Sequence, residues 1–192
     1  MEDKKVVNIY FEANPNPNSL KFVADFMLVE EGKNYDFPNK ESTKNAPLAN
    51  KLFELDYVTR VFYMSNFLTV TKTENIDWLE IREEIKSIIK DHLEEGFPLL
   101  SDKTSNEDPA SQSDESDLER RIKEILDEYV KPAVEQDGGA ISYASFKDGV
   151  VKVKLQGACS GCPSSLVTLK AGIENLLIRM IPEVKEVDAE GI

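Results

Sequence analysis

Two cysteines, Cys159 and Cys162, stand three residues apart in Gly157-Ala158-Cys159-Ser160-Gly161-Cys162-Pro163-Ser164-Ser165, and the chain holds no other thiol. A cysteine-held iron–sulfur cluster usually takes four thiolates, and structural zinc usually takes four cysteine or histidine ligands. One copy of this chain supplies two. A metal centre built on the pair must therefore be completed from outside, most simply by a second copy. A site half-built by its own chain is suited to being shared, exposed and handed on.

Spacing alone leaves three chemistries open: an iron–sulfur cluster, a zinc centre and dithiol redox exchange. The two-residue gap lets both sulfurs converge on one metal or one cluster edge. Two chains together can also build a four-cysteine zinc site, which would act as a permanent staple in a dimeric interaction module. A thioredoxin-like dithiol wants a βαβ start before the pair and further strands after its helix. The elements around Cys159 and Cys162 do not follow that order.

Those elements are legible. Residues 118–192 read as α-β-β-α-β. Leu118, Ile122, Ile125, Leu126 and Tyr129 make one helical stripe, and Pro132 kinks or shortens that helix. Asp137-Gly138-Gly139 ends it. Ile141–Phe146 is a strand, Asp148-Gly149 a hairpin turn, and Val151, Val153 and Leu155 alternate with Lys152 and Lys154 on a strand with one wet face. The cysteine loop follows at once. Pro163 suits the first turn of a helix whose stripe is Leu166, Leu169, Ile173, Leu176, Leu177 and Met180. Val184–Val187 suggests a last strand. The pair thus falls on a strand-to-helix loop, where helix N–H groups are expected to favour thiolate. Gly157 and Gly161 let the backbone wrap an inorganic core.

Residues 1–97 read as a second mixed α and β unit. Val6–Phe11 and Leu20–Val29 are expected strands on either side of the Asn14–Asn18 turn cluster. Pro47–Leu55 suits a short helix, and Val58–Tyr63 with Phe67–Thr71 a hairpin. Trp78, Ile81, Ile85, Ile88 and Ile89 recur at helical spacing after a capping Asp77 or Asn75. His92, the only histidine, is expected to serve that helix end, and Trp78 the core. Between the units, 98–117 turns polar and acidic. It reads as a flexible linker that spans roughly 25 Å as a soft coil. The expected fold class is α+β: two small mixed domains, 1–97 and 118–192, joined by an acidic linker.

The chain has 192 residues, a formal charge of −13 and a sequence pI near 4.6. That balance argues against nucleic acid, whose phosphates it would repel. No apolar run approaches the roughly 20 residues of a spanning helix, so no membrane partner is expected. The N-terminal residues carry neither a secretory h-region nor an Arg-rich transit pattern, so the expected location is cytoplasmic. There, reduced thiols favour metal-binding or catalysis over a structural disulfide. One histidine and no motif context leave nothing to activate a serine, and no phosphate-cradling loop is present, so an enzyme is not expected.

The cysteine segment, with Val130-Lys131-Pro132 and Asp137-Gly138-Gly139 upstream, resembles the NifU C-terminal domain of the Nfu iron–sulfur proteins over most of 118–192. The first unit resembles the Nfu N-terminal domain through Glu12–Phe22, Asp36-Phe37-Pro38, Pro47-Leu48-Ala49, Leu52-Phe53 and Val58–Phe62. The resemblance implies a scaffold or carrier that holds a [4Fe-4S] cluster between two copies and passes it to apo iron–sulfur proteins. Cys159 and Cys162 would be the ligands. It further implies a homodimer through the cluster and loading by upstream cluster-assembly machinery. The N-terminal unit would recognise partners or assist delivery. The sequence shows neither the separate scaffold nor the ferredoxin-like domain of full-length NifU, so dedication to nitrogenase is not expected.

Overall fold

A computed structural model describes residues 6–101, 116–160 and 163–191, with side chains at 163–165 outside the description. The chain divides into two compact units at Asn106 and Glu107, each of mixed helix and sheet. The chain is α+β, as its patterning suggests.

The first unit is an antiparallel sheet with helices. Its strands are β1 (Ile9–Ala13), β2 (Ser19–Ala24), β3 (Asn34–Phe37), β4 (Val58–Met64) and β5 (Phe67–Lys72), ordered β1-β2-β5-β4-β3. The first turn is built from asparagine side chains. Asn14 Oδ1 accepts from Asn16 N at 3.1 Å, and Asn16 Oδ1 accepts from Asn18 N at 3.0 Å. These short polar side chains mimic a backbone turn. Helix α1 (Pro47–Leu52) is three residues shorter than the expected Pro47–Leu55. Helix α2 (Trp78–Glu94) is capped by Asp77, whose carboxylate accepts from Leu79 N at 2.8 Å. It buries Ile81, Ile85 and Ile89, each removal from water contributing about 2 kcal/mol.

Two strand expectations are corrected. The second strand ends at Ala24, not Val29, because the chain leaves the sheet and Leu28 N and Val29 N bond to Ser65 O at 2.7 and 3.0 Å. The short polar strand β3 is present where none was expected, fixed by an ion pair between its Asp36 and Arg60 of β4. Part of the segment read as linker is packed. Leu99 and Leu100 lie against the first core, and Ser101 N bonds to Asn45 O at 2.8 Å. Residues 102–115, the rest of that segment apart from Ser116 and Asp117, lie outside the described residues.

In the second unit, α3 (Asp117–Ile125) starts with a capping box between Ser116 and Glu119. Leu126–Val130 winds as a π turn into α4 (Lys131–Gln136). Pro132 stands near the start of α4, so the helix continues in a new segment past the residue that cannot donate a backbone hydrogen bond. Strands β6 (Gly139–Lys147) and β7 (Val150–Gly157) form an antiparallel hairpin about Asp148 and Gly149, whose φ values are 54° and 89°. Helix α5 (Pro163–Met180) crosses back, and β8 (Glu186–Gly191) pairs with β7 in parallel. The sheet order is β6-β7-β8. Val151, Val153 and Leu155 of β7 are fully buried against Ile122, Ile173 and Leu177 of the helices. No helix among the described residues is long and apolar enough to cross a membrane.

Candidate metal centre

The cysteine loop is set by the open end of the β6–β7 hairpin. Gly139, first in β6, pairs with Gly157, last in β7, and the ladder extends one bond further, from Ala158 N to Gly138 O at 3.2 Å. Gly138 and Gly157 take φ of 81° and 66°, left-handed values that side chains resist, so the chain turns sharply on both sides of the hairpin end. A short 3₁₀ turn, Ala158–Ser160, follows, closed by Ser160 Oγ donating to Gly157 O at 3.0 Å.

Cys159 sits at the centre of that turn. It is a free thiol, 7% exposed, and belongs to the core of the second unit. Burial pushes its pKa up to about 12, and the neighbouring Asp137 charge acts in the same direction. Both effects oppose the thiolate that a helix N-terminus is expected to favour. Cys162 lies outside the described residues. Among the described residues, no three His, Cys, Asp or Glu side chains converge on a metal position.

The other singled-out residues have local roles. Lys152 pairs with Asp188 at 3.4 Å and Glu190 at 3.7 Å, so its charge is engaged by β8. His92 is buried in the last turn of α2 and bonds to Pro98 O at 3.2 Å, the helix-end role its position suggests. The Trp78 indole donates to Pro17 O at 3.1 Å and packs edge-on to Phe22. Two residues beside the thiol were read as a helix end and as part of the family resemblance, not as neighbours of Cys159: Asp137, which faces it electrostatically, and Gly139, which lies against it. The hairpin turn was the signal that could have brought them to the cysteine loop.

Two family models match the chain. Residues 9–96 match the Nfu/NifU scaffold protein N-terminal domain, and residues 122–188 match the NifU-like domain. NifU-like protein 5, mitochondrial, of Arabidopsis thaliana is 42% identical over 194 residues, covering 99% of this chain and 70% of its own length. The NFU1 iron-sulfur cluster scaffold homolog, mitochondrial, of Drosophila persimilis is 40% identical over 185 residues, covering 96% and 66%. The chain thus spans about two thirds of these relatives. A solution structure of a NifU-like protein from Saccharomyces cerevisiae overlaps 54% of this chain and 92% of its own, at 23% identity and a TM-score of 0.48. These names correct the cytoplasmic expectation, since the relatives are named mitochondrial. That expectation rested on N-terminal composition, which reports charge and apolar content rather than compartment.

Proposed function

The chain belongs to the Nfu/NifU scaffold family, and from that membership we propose that it is an iron–sulfur cluster scaffold and carrier. It holds a [4Fe-4S] cluster between two copies and passes it to apo-proteins. The observation that carries this reading is donor count: 192 residues contain two cysteines, Cys159 and Cys162, both at the β7–α5 junction. Soft thiolates suit iron–sulfur chemistry, and four are needed. Two copies meeting at this loop supply them. The left-handed turn at Gly157 and the small side chains of Ala158 and Ser160 support this reading, since they add little bulk beside the cysteines.

The cluster is cargo, and its transfer is ligand exchange. A thiolate of the recipient takes the place of the Cys159 sulfur on iron, and another takes the place of the Cys162 sulfur. Each released cysteine takes up a proton, and nothing is oxidised or reduced. No covalent change in a substrate is required, so this role is not enzymatic. The recipients, and the machinery that loads the cluster, are proteins able to present thiolates to iron.

Anaerobic reconstitution with iron and sulfide tests the reading. A brown dimer with about four irons, able to activate an apo iron–sulfur enzyme faster than free iron and sulfide do, is the expected result. A colourless protein carrying about one zinc per dimer would replace it with a zinc-stapled module.

A further inference from the structure

Gly139 is a glycine for reasons of space. Its φ is not among the left-handed values that require glycine in this hairpin. A Cβ at this position would lie 2.6 Å from Gln156 O, 2.9 Å from Cys159 Sγ and 3.3 Å from Cys159 Cβ. Such distances are not tolerated in packed structure: the Gln156 carbonyl and the cysteine side chain together occupy the volume that a side chain at 139 would claim. Cys159 is correspondingly 7% exposed, among the apolar side chains of the second core. A sulfur held there is shielded by its own unit and cannot be shared with a second chain.

We propose that Gly139 is a positioning residue for Cys159: lacking a side chain, it keeps open a slot into which the thiol withdraws when no metal is bound, and the thiol must swing out of that slot to bind iron. This rests on the reading of Cys159 as an iron ligand. Rotation about the Cys159 side chain, helped by the short turn after Gly157, exchanges the two positions. In the slot the sulfur keeps its packing contacts and is hidden from oxidants and alkylating reagents, which attack accessible thiolate. Outside it, metal–sulfur bonds replace those contacts. The slot thereby favours release of the cargo and protects the emptied carrier.

The test uses the full-length, metal-free Cys162→Ser chain, in which Cys159 is the only thiol. Its alkylation by iodoacetamide is expected to be at least tenfold slower in the native protein than in denaturant. Adding Gly139→Ala is expected to raise the native rate at least fivefold. Gly191→Ala is the control, because the three atoms its Cβ would meet first all belong to Ser160, the nearest being Ser160 O at 2.8 Å. It is expected to leave alkylation slow. A thermal double-mutant cycle adds a readout that survives poor folding of Gly139→Ala: Cys159→Ala should recover part of the stability lost in Gly139→Ala and none of that lost in Gly191→Ala. Equal native and denatured rates, equal acceleration by both glycine variants, or no recovery would each overturn the proposal. These measurements need no cluster, so their failure leaves the carrier reading standing. A colourless reconstituted chain leaves the slot standing.

Discussion

Tyr143 Oη of β6 donates to Glu119 Oε1 of α3 at 2.8 Å, tying the first helix of the second unit to the strand that begins at Gly139. The same carboxylate completes the capping box with Ser116. The Tyr143 bond, followed by the Ser116 bonds, holds the Glu119 carboxyl below its ordinary pKa. A depressed carboxyl stabilises the fold above its unfolded pKa, near 4.3, and that contribution is lost as pH falls through the folded value. Tyr143→Phe is expected to move the Glu119 pKa back up, read by NMR titration of the side-chain carboxyl. An unchanged titration in Tyr143→Phe would show that the Ser116 bonds suffice.

Replacing Cys159 carries two separable costs. Cys159→Ser puts a hydroxyl into an apolar core and is expected to destabilise the second unit by roughly 1–3 kcal/mol in urea unfolding. Cys159→Ala should cost less. Both should abolish the brown chromophore on anaerobic reconstitution, as should Cys162→Ser. A reconstituted Cys159→Ala chain that stays brown with four irons would remove Cys159 from the ligand set.

The resting thiol also sets a pH signature. With its pKa near 12, Cys159 in metal-free Cys162→Ser protein should show no thiolate absorbance at 240 nm through pH 10. Unfolded cysteine ionises near pH 8.5. A raised folded pKa gives stability that is complete below that value and is lost as pH rises toward the folded one. Unfolding midpoints should therefore fall more steeply above about pH 8.5 in this chain than in one also carrying Cys159→Ala. Coincident curves would mean that the thiol is solvated.

His92 gives the first unit the opposite edge. Burial lowers its pKa, outweighing the bond to Pro98 O, and the nearby Lys51 charge acts with burial. The neutral ring fits the core. Stability is complete above about pH 6.5, the unfolded value, and declines below it toward the depressed folded pKa as the unfolded chain takes up the proton. His92→Gln should flatten the pH 5–7 part of the stability profile, followed by urea melts monitored at Trp78. A slope that survives His92→Gln would assign the loss to carboxylates.

Much of the scaffold was legible because periodicity and turn chemistry agreed. The α2 stripe with its Asp77 cap, the Asp148-Gly149 hairpin and Pro163 at the start of α5 all signal locally. Strand β3 did not, since four half-polar residues show no alternation and depend on the Asp36–Arg60 pair to a neighbouring strand that lies 24 residues on in the sequence. The surroundings of Cys159 were hidden for a different reason. Counting back from the hairpin turn without interruption sets Gly139 opposite Ala158. A bulge between Tyr143 and Ser145 shifts the register by one, so that Gly139 meets Gly157 instead. Only with that register does the glycine come to lie against the sulfur. The cysteine spacing pointed to metal chemistry, whereas burial of the resting thiol is a tertiary property that no local pattern announces.

Strand β8 forms one margin of its sheet, and alternate positions Glu186, Asp188 and Glu190 are acidic. Lys170 and Lys152 of the same unit already neutralise them in part. Were two copies to zip margin to margin, like carboxylates would face one another and these ion pairs would be disturbed. Like charge along this margin therefore discourages open-ended strand addition between copies at β8. Under the proposed carrier role, such a charged margin leaves the cargo to join two copies and lets them part when it departs.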